Sequence, residues 1–120
     1  MIPNQDSRKY IRHEVIDFAL ITCLPSQRAS RALVVDVGLG GLSLRTKDSF
    51  NADQKVSVLV GQGGEPPIEI HGQIRHVRKQ SHADTYSVGI QFQPKNNAER
   101  ARVASLINVA FQRSSFPTIA

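Results

Sequence analysis

Apolar and polar residues alternate with a period of two through most of the chain as far as Phe92, and only beyond it does the period change. Residues 14–23 are rich in β-branched and aromatic types, with Ile16, Phe18 and Leu20 alternating with Val15, Asp17 and Ala19, which predicts a strand ended by Pro25 and Ser26. Residues 32–37 contain Leu33, Val34 and Val35 in succession, the mark of a well-buried strand, and Gly38, Gly40 and Gly41 then turn the chain into a further strand at 42–46. After a loop at 48–53, Val56, Val58 and Val60 alternate as a half-buried strand does, stopping at the hairpin-like Gly61-Gln62-Gly63-Gly64. Ile68, Ile70, Gly72, Ile74 and Val77 predict a long strand with a kink or bulge near Gly72, and residues 86–92 supply the last strand.

In the C-terminal segment Val103, Leu106, Ile107, Ala110 and Phe111 recur at helical spacing and mark one face of a helix. Asn96 or Asn97 is the candidate N-cap, and Glu99 near the start complements the helix dipole. The fold class is therefore mainly β: a six-stranded antiparallel β-barrel with a C-terminal α-helix, closure protecting the edges that several exposed strands would otherwise leave. With 120 residues, 40% of them hydrophobic, the chain suits one domain with one core. Its expected parts are a flexible arm at 1–13, the barrel at 14–94, and the helix and tail at 95–120. No internal repeat or low-complexity tract appears.

Charge narrows the class of partner. A net charge of +5 favours an anion, whether a nucleotide, a nucleic acid or an acidic protein surface. Cys23 is the single cysteine, so one chain can build neither a disulfide nor a cysteine zinc cluster, and the residue reads as core. The four histidines lack the paired spacing of a metal site, and no metal is expected. Without a nucleophile signature, the chain is not expected to be an enzyme. The apolar stretch at 15–24 is too short to span a bilayer and is interrupted by Asp17, and the N-terminus does not read as a signal peptide, which predicts a cytoplasmic protein with no membrane insertion.

The chemistry concentrates in two places. Arg8 and Arg12 lie four residues apart in the polar N-terminal stretch, and Asp36-Val37-Gly38-Leu39-Gly40-Gly41 carries an acid into a glycine-rich turn. A guanidinium presents a flat fork of donors that fits phosphate oxygens or the O6 and N7 acceptors of guanine, whereas a carboxylate can accept from guanine N1 and N2 hydrogens. Together they suggest a clamp for a guanine nucleotide. Arg8-Lys9-Tyr10-Ile11-Arg12 matches R-x-x-x-R, residues 36–41 match most of D-x-S-x-x-G, and Tyr86-Ser87-Val88-Gly89-Ile90-Gln91-Phe92 looks like a closing strand; in this order and separation the chain resembles the PilZ domain family over nearly its whole length.

The resemblance implies a barrel that binds the bacterial second messenger cyclic di-GMP, needs no cofactor, and signals to an effector protein that the sequence does not identify. Arg8 and Arg12 would grip phosphates and guanine edges, Asp36 would bond a guanine base, Gly38 and Gly41 would shape the turn, and the arm would fold over the ligand. Gly38 departs from the family pattern, since it stands where the motif has serine and a hydroxyl is lost. Lys9 could add long-range attraction, and His76 falls about where a flat side chain could stack on guanine. Each residue also has an ordinary reading: a solvated basic arm for the arginines and Lys9, turn capping for Asp36, backbone geometry for the glycines, a surface histidine for His76. Two other functions remain open, a PilZ-fold protein adaptor with weak or no nucleotide binding and, less favoured, a barrel that binds single-stranded nucleic acid. The latter lacks stacking platforms, with no Trp, two Tyr, and Phe positions that pattern with the core.

Overall fold

The computed structural model describes residues 12–61, 66–81 and 84–115, with side chains described within 17–112 of that span. The elements are β1 (Arg12–Cys23), β2 (Ala29–Gly38), β3 (Gly41–Thr46), β4 (Lys55–Val60), β5 (Ile68–Lys79), β6 (Tyr86–Phe92) and α1 (Asn97–Ser115). All neighbouring strands run antiparallel and close into a barrel in the order β1-β2-β3-β6-β5-β4. The last strand thus inserts between β3 and β5.

Alternation supplies the core. Val37, Leu42, Ile90 and Ile74 are successive cross-strand partners from β2 to β5, and Ile21, Val58 and Ile70 form a second such row through β1, β4 and β5. All seven are buried. Burying such side chains stabilises the fold by about 1.5–3 kcal/mol each, so these rows are a large part of the core's contribution to barrel stability. Cys23 is also fully buried in this core.

Two expectations need correction. Phe50 is in the core as its type suggests, but Phe18 is 81% exposed. The reason is parity: Ala19, Ile21 and Cys23 pair with Val60, Val58 and Val56 of β4 on the inside, so Phe18 and Leu20 must point outward. The irregularity in β5 lies between Ile74 and His76 and not at Gly72. Gly72 is explained by closeness, because a Cβ there would overlap the Gln91 carbonyl oxygen; at Gly41 a Cβ would likewise overlap the Ile90 carbonyl oxygen.

Helix α1 packs on β1 and β5, burying Val103, Leu106 and Ala110; Phe111, predicted on the same face, stays 51% exposed. Asn96 is the N-cap, its Oδ1 accepting the Glu99 N–H at 2.9 Å. Glu99 does more than complement the dipole. Its carboxylate is buried, accepts the backbone N–H groups of His71 and Lys95, and lies 2.8 Å from His71 Nδ1, tying the first helical turn to β5. Burial alone would raise this carboxyl, but the hydrogen bonds from His71 and Lys95 and the imidazole charge outweigh it and hold Glu99 below its ordinary value.

A depressed carboxyl stabilises the fold at pH above its unfolded value, near 4.5, and that contribution is lost as pH falls through the folded value. Glu99→Gln, which cannot ionise, is expected to lower unfolding free energy at neutral pH by about 2 kcal/mol and to flatten its acid-side decline. Urea unfolding across a pH series checks this; an equally steep decline in the variant contradicts it. By the same measurement Gly41→Ala, which meets backbone, should cost about 3 kcal/mol. Gly89→Ala meets the His76 imidazole first, which can rotate away, and should cost less than about 1 kcal/mol.

Candidate ligand-binding site

The acid and the glycine turn lie at the end of β2, where the strand register changes. Val34 pairs with Leu44 of β3, yet Asp36 pairs with Ser43, so Val35 is an extra residue. In unbroken register Asp36 would face Leu42, which is fully buried, and its carboxylate would enter the barrel interior. The bulge changes the parity. Val37 takes the inward position and Asp36 becomes half-buried on the outer side. β1 follows with its own shift between Glu14 and Asp17. Bulges commonly re-aim a side chain in this manner beside functional sites.

The result is a row of cross-strand neighbours running Glu14, Asp36, Ser43, Gly89 and His76 through β1, β2, β3, β6 and β5. Directly opposed residues on such a ladder are about 4.5–5.5 Å apart at Cβ, close enough for one ligand to span several. Arg12 is the first residue of β1, and its backbone pairs with Gly38. The fold therefore brings Arg12, Asp36 and Gly38 together at one corner. Gly41 opens β3 opposite Gln91, and its missing Cβ is required by the Ile90 carbonyl whatever else it does. His76 is exposed, and its ring covers the space above Gly89, at the far end of the row from Arg12. Arg8 and Lys9 lie outside the described residues.

Ser43 went unnoticed in the sequence. It is half-buried beside Asp36 and brings a hydroxyl to a row whose motif lacks one at Gly38. Two-residue periodicity from Gly41 was the available signal. An outer row of a carboxylate, a hydroxyl, a bare glycine and an imidazole can accept and donate hydrogen bonds to a planar heterocycle. Among the described residues no three His, Cys, Asp or Glu side chains gather as metal ligands would, and no helix is long and apolar enough to cross a membrane.

A closed six-stranded antiparallel barrel with one packed helix and a polar outer row beside a glycine turn defines a small β-barrel domain. The PilZ domain model matches residues 6–108, and the chain belongs to the PilZ domain family. No curated protein matches it. Among solved structures, the PilZ domain of YcgR from Escherichia coli with c-di-GMP superposes with a TM-score of 0.63 at 14% identity, covering 92% of this chain and 99% of that one. The K. pneumonia MrkH–c-di-GMP complex gives 0.69 at 15% identity, covering 90% and 54%, and the Bacillus subtilis inhibitor of motility MotI/DgrA gives 0.67 at 15%, covering 93% and 56%. The chain thus spans about half the length of the MotI and MrkH chains. At these identities the likeness is one of fold.

Proposed function

We propose that this chain is a receptor for cyclic di-GMP that passes ligand binding on to an effector protein. The observation that carries the reading is the register bringing Arg12 beside Gly38 and Asp36, with Ser43, Gly89 and His76 continuing the same outer row. In this reading Arg8 and Arg12 hold phosphate oxygens and guanine edges through charge-assisted bonds, and Asp36 accepts from guanine N1 and N2. Lys9 adds attraction, Gly38 and Gly41 keep side chains out of the ligand's approach, and His76 offers a flat ring to a base. The segment ahead of β1 closes over the ligand as the anion compensates the positive charges of Arg8 and Lys9. The site belongs to a non-catalytic, cytoplasmic receptor.

Membership of the PilZ family supports this reading, as do the c-di-GMP complexes of the YcgR domain and MrkH. One feature favours a second reading, an adaptor that no longer binds nucleotide: Gly38 stands where the motif has serine. Ser43 offsets that loss by placing a hydroxyl beside Asp36.

Isothermal titration with cyclic di-GMP decides between them. Saturable binding is expected, weakened about tenfold or more by Arg12→Ala or Asp36→Ala, and strengthened about threefold to tenfold by Gly38→Ser. Absence of heat at ligand concentrations well above micromolar, with all variants folded, gives the adaptor reading precedence.

A further inference from the structure

Four of the six exposed large hydrophobic side chains among the described residues, Phe18, Leu20, Leu33 and Leu59, lie on one outer face of the barrel. Register makes them contiguous. Phe18 opposes Leu33, and Leu20 opposes Leu59 on one side and Arg31 on the other. Leu33 opposes Arg45, beyond which the row continues through Ser87 to Arg78. Between β1 and β3 this face forms an open groove of about 700 Å³, lined by Phe18, Ala29 and Leu33 with Arg31, Arg45 and Lys47 along it. The barrel does not need these side chains, since its interior is filled by the opposite parity. Large apolar side chains grouped at the surface and bordered by charge mark interaction sites.

We propose that this face docks an acidic protein segment that presents a large apolar side chain flanked by carboxylates. Three cations line the groove against one acid, Asp48, and Arg78 extends the positive row; Glu69 stands at the far edge beyond Leu59, hydrogen-bonded to Ser57. That imbalance selects an acidic occupant and opposes a second copy of this chain, which would bring the same cations face to face and carries a net charge of +5. β2 and β3 are paired on both sides, so the segment cannot add as a strand and must bind through its side chains. Phe18, 81% exposed, is the anchor, because an aromatic side chain supplies the most contact area on the face. Nothing in this docking needs a bound nucleotide, so it goes beyond the receptor reading.

The test titrates fluorescently labelled short peptides into the full chain without nucleotide. In one peptide Leu and Phe alternate with Glu; in the control Lys replaces Glu. The Glu peptide is expected to bind, with amide shifts centred on residues 18, 31, 33, 45 and 47, and to weaken as salt is raised. Phe18→Ser should reduce its affinity about tenfold or more without lowering the unfolding midpoint, because the residue is already in water. Arg45→Glu should shift preference towards the Lys peptide, which holds the test open if Phe18→Ser fails to fold. Equal binding of both peptides, binding of neither, or shifts mapping elsewhere overturns the proposal. So does concentration-dependent self-association abolished by Phe18→Ser, which gives the face to a second copy. Cyclic di-GMP titration of the same variants reports the nucleotide site separately.

Discussion

The barrel interior admits one face of each strand, and a carboxylate on that face would be buried among Val, Ile and Leu side chains. Asp36 lies on a strand whose earlier inward residues are Ser30, Ala32 and Val34, so simple alternation would carry it inside. The extra residue at Val35 prevents this, and the rest of the site follows from that change. Between the row of Phe18, Leu33 and Arg45 and the row of Glu14, Asp36 and Ser43, β3 advances by two residues (Arg45 to Ser43), β2 by three (Leu33 to Asp36) and β1 by four (Phe18 to Glu14). The longer paths in β2 and β1 bring Arg12 level with Gly38 and present a polar corner on a barrel otherwise filled with apolar side chains.

Glycines set the other side of that corner. β6 approaches β3 so closely that Gly41 has no room for a Cβ, and the imidazole of His76 rests where a side chain on Gly89 would be. Two glycines that read alike in the sequence therefore act differently. One is forced by backbone and the other leaves space that a neighbouring ring occupies. Helix α1 is held to the same sheet by the buried Glu99, whose bonds to His71 join it to β5, the strand that also carries His76.

The outer surface carries two adjoining rows of opposite character. One is small and polar and carries the motif residues; the other is apolar with a basic border and lies next to it along β1, β2 and β3. Ser43 and Arg45 are alternate residues of one strand, as are Gly89 and Ser87. A ligand on the first row and a partner on the second would share those strands, a short route by which occupation of one could alter the other.

The period-two pattern was sufficient for six strands, the period change for the helix, and the spacing of Arg8, Arg12 and Asp36 for the family resemblance. Such features are local: alternation, helical spacing and turn residues depend on neighbours in the chain. Strand ends extended further than the pattern suggested, with β2 starting at Ala29 instead of Ala32, because cross-strand partners in β1 continue the ladder beyond the apolar run. Which face Phe18 occupies, where the bulges fall, and that Ser43 stands beside Asp36 were not readable in advance. Each depends on pairing between residues distant in sequence, and a shift of one position moves a side chain from core to solvent. The chain's own order of residues thus determined its elements and motif. Barrel closure and register decided which of those residues meet, because only pairing between strands sets the parity of each face.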